Sequence, residues 1–326
     1  MSTPSDSFLY LSSEQVAGLD ISPEAVTEAV ENVFLGWHEG DVLQQPKINI
    51  PPRPKYISEA LLAVDNRTEH AAVKWVSVSP DNAALGLPNV QSMVLYSETR
   101  HGRPLALMDG TWLTGVRTAA CSVIGAKYLA VPRPYSLGLI GAGYQARMHL
   151  DFLRAQFPSL DQVTAYSGGS DSAHRFREYA ESQGIAASVA SAARDAVAHQ
   201  DIVVSMIPPG KSDRFLDPRW LSRGSYVASV DLGRPWGEEH WPEVFDITAT
   251  DDPEQSRKWI GLGKMLDPGE FDTDLGRLVA GGRNARLTTV QNTALLFAGV
   301  GIADIAVAKL VFDKAQEQGV GVSLPL

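Results

Sequence analysis

Apolar positions along the chain change their spacing twice, and each change marks a different kind of structure. In "DISPEAVTEAVENVFLGWHEGD", Val26, Val30, Phe34 and Trp37 form one stripe at helical spacing, with Ser22 placed to cap and Pro23 suited to the first helical position. Just upstream, "LSSEQV" sets Ser12 three residues ahead of Gln15, the capping-box spacing that satisfies two helix-start amides. From about Lys47 the period falls to two and breakers multiply, through "PKINIPPRPKYISEALLAV", "AAVKWVSVSPDN" and "NVQSMVLYSETRHGRPLALMDG". The last of these predicts a β-hairpin across "SETRHGR", with Gly102 in the turn. Residues 1–117 therefore read as a mixed α+β unit with a largely antiparallel sheet.

After "VRTAACSVIGAKYLA", a helix ended by "VPRP", the pattern alternates. Strands are predicted at "SLGLIG", "QVTAYS", "DIVVSMI", "SYVASVDL" and "DITATD", each separated by helix-like sequence. That order belongs to an α/β fold: a Rossmann-type, doubly wound parallel sheet over residues 118–303. The segment "TALLFAGVGIADIAVAKLVF" is the most lipid-like, but Asp304 interrupts it and Lys309 follows, so it reads as a buried helix or helix pair. From Asp304 to residue 326 a C-terminal helix is the right length to return to the first unit.

A net charge of −10 and the lack of any basic stretch exclude nucleic acid as the main partner. Cys121 is the only cysteine, so an internal disulfide and a thiolate metal cluster are both ruled out. The opening "MSTPSDSF" lacks the basic-then-apolar layout of a secretory signal, and a cytoplasmic protein without a membrane partner is expected. Metal catalysis is unsupported, because the chain has no HExxH, no CxxC and no histidines paired at ligand spacing. "SGGSDS" is not a nucleophile elbow, since the second flanking glycine is missing.

The stretch "SLGLIGAGYQARMHL" carries the clearest chemistry. A strand runs into Gly141, Gly143 and the small Ala146, and apolar positions Ala146, Leu150, Leu153 and Phe157 continue as a helix. Gly141 permits the tight turn, Gly143 lets a diphosphate approach the backbone, and Ala146 allows close packing of helix on strand. Amides over Gly141, Gly143, Tyr144, Gln145 and Ala146, with the positive helix end, then face the phosphates. A dinucleotide site follows, because the required strand precedes the glycines and another, "QVTAYS", comes about 20 residues on. At the end of that second strand, where a carboxylate usually holds the ribose of NAD, stands Ser167. Arg175 or Arg177 could pair with a 2′-phosphate, so NADP is favoured over NAD, while Asp171 keeps the NAD reading open.

Three further residues are candidates for chemistry. Lys74 alternates with Val76 and Val78 on one strand face, where it either meets an anion or reaches water at a sheet edge. Arg117 stands where the sheet unit gives way to a helix, as a carboxylate clamp or a structural ion pair. Asp231 lies at the carboxyl end of a predicted parallel strand, the ligand-binding edge of open α/β sheets, or else it caps the next loop.

These segments together resemble the ornithine cyclodeaminase, mu-crystallin and archaeal-type alanine dehydrogenase family. The resemblance spans nearly the whole chain and is carried by "QQPKINI", "VKWVSVSPDNAALGLP", "GRPLALMDGTWLTGVRTAACS", "LGLIGAGYQARMHL", "SVDLGR" and "GIADIAVAKLVFDKAQEQGVG". It implies a homodimer whose first domain, completed by the C-terminal helix, supplies the substrate site and the dimer contact. It also implies a small amino or imino acid as substrate and NAD(P) as cofactor. By motif position Lys74 and Arg117 match the pair that holds the substrate carboxylate, and Asp231 matches the catalytic aspartate. Lys47 stands where many members have an arginine; it keeps the charge but loses the two-pronged geometry. "VSVSPDN" departs from the Asn-Gly-His-Pro type sequence of the cyclodeaminases, and Leu296 and Phe297 replace a common Lys-Ser pair. The implied activity is that of an imino acid reductase or amino acid dehydrogenase. A cyclodeaminase using NAD catalytically and a crystallin-type binding protein are the alternatives.

Overall fold

The computed structural model describes residues 7–208, 214–282 and 285–326. The chain forms two compact units, one running to Arg117 and resuming at Val300–Leu326, the other spanning Thr118–Gly299. The first unit opens with a strand, β1 (Ser7–Leu11), then helices α1 (Ser13–Ala17) and α2 (Pro23–Glu39). Ser12 and Gln15 form the reciprocal capping box, and Ser22 Oγ accepts from the Ala25 amide at the head of α2. Val26, Val30 and Phe34 of α2 are buried, as their spacing requires. Strands β2 (Val42–Gln44), β3 (Ile48–Ile50), β4 (Ile57–Asp65), β5 (His70–Val78), β6 (Val90–Glu98) and β7 (Pro104–Asp109) follow. β6 and β7 are the expected hairpin, with Gly102 left-handed at φ 73°.

Helix α3 (Thr111–Leu129) leads into the second unit and begins earlier than "VRTAACSVIGAKYLA" suggests. Asp109 sets that start: its carboxylate accepts from the Thr111 amide and hydroxyl. The second unit contains β8 (Ser136–Ile140), α4 (Tyr144–Gln156), β9 (Gln162–Tyr166), α5 (Ser170–Ser182), β10 (Ala186–Val189), α6 (Ala193–Val197) and β11 (Ile202–Ser205). It continues with β12 (Tyr226–Ser229), α7 (Trp241–Val244), β13 (Ile247–Thr250), α8 (Pro253–Gly261), β14 (Thr273–Asp274), α9 (Leu275–Gly281) and β15 (Thr293–Leu296). Its sheet is parallel throughout, in the order β10-β9-β8-β11-β12-β15-β13-β14. The winding reverses between β8 and β11, the switch point where ligands bind in such sheets. β15 corrects the reading of "TALLFAG" as helix: its four residues are buried, and a short apolar run buried on both faces has no period to separate strand from helix.

The chain then returns as α10 (Ile302–Gln318) and β16 (Val322–Pro325) to complete the first unit. The expected helix over 304–326 therefore starts two residues sooner and stops at Gly319, which is left-handed at φ 64° and turns the chain into a strand. Gln44 Oε1 of β2 accepts from the Gly301 and Ile302 amides and so caps α10 from outside the helix. The sheet runs β16-β1-β7-β6-β5-β4-β2, with β3 also on β4. One row across it is Leu61, Lys74, Val94 and Met108, on the buried face, against which α10 packs. The adjacent row, Leu62, Val73, Leu95 and Leu107, lies on the opposite face together with Trp75, which is 53% exposed. Among the described residues no helix is long and apolar enough to cross a membrane.

Candidate functional site

The glycine loop of the second unit is knit to the switch point by backbone hydrogen bonds. Gly141 N donates to Tyr166 O at 2.8 Å, and Met206 N donates to Ile140 O at 2.9 Å, joining the ends of β8, β9 and β11. Gly141 is at φ 110°, and a side chain there would meet Met206 Cγ at 3.0 Å and Met206 O at 3.1 Å. Gly143 is different: it is the N-cap of α4, and among the described residues no side chain caps that helix and a Cβ would meet nothing within 4 Å. The first turn of α4 carries no acid, so the positive helix end is not neutralised by its own residues beside bare backbone. Ala146 is fully buried and packs as its size allows, Tyr144 is exposed, and Gln145 Oε1 is buried with no hydrogen-bond partner among the described residues. This cradle fits the diphosphate of a dinucleotide.

Around the expected ribose position the acids are few. Ser167, after β9, lies with its hydroxyl 2.8 Å from that of Ser172, and it accepts from the Gly169 amide at 3.4 Å. Arg177 is occupied on its own helix, with Nε 3.7 Å from Glu181 Oε1, whereas Arg175 and Asp171 are exposed.

Asp231, two residues beyond β12, is 4% exposed. Its Oδ1 accepts from Ser229 Oγ at 2.6 Å and Ser205 Oγ at 3.0 Å, and its Oδ2 accepts from the Ile207 amide at 3.0 Å. Trp236 Nε1 donates to Ser205 Oγ at 3.0 Å and Gly233 N to Ser229 Oγ at 3.1 Å, so the carboxylate is the centre of a buried network. The chain reverses through Leu232, left-handed at φ 65°, a conformation a leucine rarely holds unless its surroundings fix it. Burial raises the Asp231 pKa from 3.8, against the lowering effects of Ser229, the Ile207 amide, Arg234 and Ser205. The group can thus keep a proton at higher pH than an ordinary aspartate.

In the first unit the predicted basic pair is brought together by a residue that sequence reasoning missed as a functional group. Lys74 sits mid-strand in β5, is 1% exposed, and donates from Nζ to Asp304 Oδ1 at 2.6 Å. Arg117 Nε lies 3.2 Å from the same oxygen, and its side chain is 11% exposed. Lys74 therefore reaches no water and is not an edge charge. Burial, then the positive charge of Arg117, push its pKa down from 10.5 to about 8; Asp304 opposes this and Lys47 adds to it. Lys47 follows β2 and lies 3.6 Å from Glu59 Oε2 of β4. Asp304 was visible in sequence only as the acid interrupting an apolar run; as the lone acid in the first turn of α10 it is also favoured by the helix dipole. Ser205 and Ser229 were missed as well, though each is the polar residue closing an apolar parallel strand.

Comparison with known proteins adds the family context. A profile for the ornithine cyclodeaminase/mu-crystallin family matches residues 9–319. The chain is similar to an alanine dehydrogenase of Archaeoglobus fulgidus, with 30% identity over 96% of this chain and 97% of that one. It is similar in structure to an archaeal alanine dehydrogenase dimer with bound NAD, at a TM-score of 0.86 and 28% identity, covering 98% of this chain and 99% of the other. A Thermococcus litoralis Δ1-pyrroline-2-carboxylate reductase in complex with NADH and L-proline gives a TM-score of 0.88 at 28% identity, covering 97% of this chain and 100% of that chain.

Proposed function

The chain belongs to the ornithine cyclodeaminase/mu-crystallin family, and on that premise we propose that it is an NAD(P)-dependent oxidoreductase acting at the carbon–nitrogen bond of a small amino or imino acid. The observation that carries this reading is the buried cluster in which two cations, Lys74 and Arg117, share one carboxylate oxygen of Asp304. An excess of buried positive charge is costly unless an anion joins it, and a substrate carboxylate supplies that anion. The relatives' names, alanine dehydrogenase and pyrroline-2-carboxylate reductase, support substrates of this class.

The first unit is then the substrate-binding and dimerisation domain, and the second the dinucleotide-binding domain. Lys47, Lys74 and Arg117 hold the carboxylate. Gly141, Gly143, Tyr144, Gln145 and Ala146 hold the cofactor diphosphate at the start of α4. When bound, the nicotinamide supplies or accepts the hydride. Asp231 gives or takes the proton at the substrate nitrogen, a task suited to a buried carboxyl whose pKa is raised. Lys74, with its pKa near 8, can exchange a proton close to neutral pH. NADP is the preferred cofactor, because Ser167 presents no carboxylate to repel a 2′-phosphate and Arg175 is exposed to receive one. A second copy of the chain covers the apolar sheet face around Trp75, giving a homodimer. The compartment is cytoplasmic, consistent with a single, buried cysteine.

The test follows the absorbance of NADPH and NADH separately with 2-oxo acids plus ammonia or methylamine, and with cyclic imino acids such as pyrroline-2-carboxylate. Substrate-dependent oxidation, stronger with NADPH and weakened for NADPH alone by Arg175→Ala, is the expected result. Ammonia release from ornithine without net change in NAD would instead show a cyclodeaminase. Cofactor binding without any turnover would show a binding protein.

A further inference from the structure

Resting on the reading above, we propose that Asp304 is a substrate-binding and specificity-determining residue, which accepts a hydrogen bond from the charged nitrogen of the amino or imino acid. Its Oδ1 is engaged by Lys74 and lies beside Arg117, but its Oδ2 is buried with no hydrogen-bond partner among the described residues. Arg117 Nε is likewise buried without a hydrogen bond among the described residues, since its approach to Oδ1 is an ion-pair contact only. A buried ion pair that serves stability alone satisfies its donors and acceptors internally, because each unmade bond costs about 1–3 kcal/mol. This cluster instead keeps one spare donor and one spare acceptor, a few ångströms apart on the same pair of side chains.

That pattern matches a zwitterion. The carboxylate of an α-amino acid, or of an α-imino acid protonated at nitrogen, accepts from Arg117, and its neighbouring ammonium or iminium donates to Asp304. A 2-oxo acid has the carboxylate but no donor on the neighbouring carbon, and would leave Oδ2 as it is. Asp304 therefore distinguishes nitrogen-bearing substrates from the corresponding 2-oxo acids while Lys74 and Arg117 hold both. The residue is fixed for this task by the Gln44 cap on α10, by its place in that helix's first turn and by burial on the sheet.

Asp304→Asn tests the proposal, because the amide keeps an oxygen for Lys74 and replaces the spare acceptor with a donor. Calorimetry on the NAD(P)-loaded protein would compare L-amino acids with the 2-oxo acids of the same skeleton: alanine with pyruvate, norvaline with 2-oxopentanoate, phenylalanine with phenylpyruvate. The wild type should bind the amino acid of at least one pair, and the variant should lose about 10- to 150-fold in that affinity, the worth of a charged hydrogen bond. Binding of the matching oxo acid should change less than about threefold, below the worth of one hydrogen bond. Equal loss of both would show a structural ion pair and overturn the proposal while leaving the oxidoreductase reading in place. A wild type that binds neither class would overturn both. If the Asn variant does not fold, Asp304→Glu retains the acceptor: preference for the amino acid should persist at reduced affinity, and its disappearance would refute the assignment.

Discussion

Asp231 offers the sharpest separation of chemistry from architecture, since its carboxylate plainly does structural work. Replacing it with alanine removes the acceptor of Ser205, Ser229 and the Ile207 amide. The two hydroxyls lie 3.0 Å apart and can turn toward each other, so the buried amide of Ile207 is the main orphan. Its cost is about 1–3 kcal/mol, and a loss of about 2 kcal/mol would lower the melting midpoint of a unit this size by roughly 4–8 °C. Asparagine behaves differently. Its oxygen can serve Ile207 and its amide can donate to the serines, so the network survives with the donors reversed. Because burial holds the native pKa above 3.8, ionisation of Asp231 costs native stability as pH rises through that raised value. Asp231→Asn carries no such charge, so its stability relative to the wild type should improve from acid to neutral pH. Activity should move the other way. Loss of the proton carrier should lower kcat/KM by about 10²–10⁴, in a protein whose circular dichroism and melting show it intact. An Asn variant with kcat/KM within about threefold of the wild type would refute the catalytic role and leave Asp231 a loop anchor.

The two glycines of the loop proposed to hold the cofactor should respond in opposite ways. Gly143→Ala meets nothing among the described residues, so folding should be unchanged while NAD(P) binding, read by quenching of tryptophan fluorescence, weakens about tenfold or more where a phosphate needs that space. Gly141→Ala, at φ 110° and 3.0 Å from Met206, should cost about 1–3 kcal/mol in denaturant melts whether or not cofactor is present. Trp75→Glu puts a charge on the open sheet face and should shift sedimentation from dimer to monomer; an unchanged dimer would place the interface elsewhere. In the pH profile, kcat/KM should fall on the basic side near pH 8 as Lys74 loses its proton, and Lys74→Arg should move that limb out of range; persistence of the limb in the variant would assign it to another group.

How much was legible in sequence depended on how local each signal was. The strand, glycine turn and helix around Gly141 lie in one continuous stretch, and their geometry is a property of that stretch. Alternation placed Lys74 on the face of Val76 and Val78, all three buried in the structure. What alternation could not supply was its partner, because Asp304 lies 230 residues away and the two meet only when α10 packs on the sheet. Thr293–Leu296 was misread because a strand buried on both sides shows no period. Ser7–Leu11 was overlooked as a strand because its pairing partners, β7 and β16, are distant in the chain, and five residues carry little pattern by themselves. Ser205 and Ser229 look like ordinary strand ends until parallel pairing sets them side by side.

The pairing of β1 with β16, Ser7 opposite Pro325, also bears on how the protein is made. Thr118–Gly299 is a continuous segment and can fold as it leaves the ribosome, at about 5–20 residues per second. The first unit must wait, because α10 and β16 are translated after all of that segment. Until then the row containing Lys74 lacks its covering helix, and the lysine lacks its counter-ion. The nascent sheet is thus an aggregation hazard for the whole time the second unit is being synthesised. Deleting residues 300–326 would make that transient exposure permanent, yielding a chain that sticks to chaperones while the Thr118–Gly299 unit folds normally.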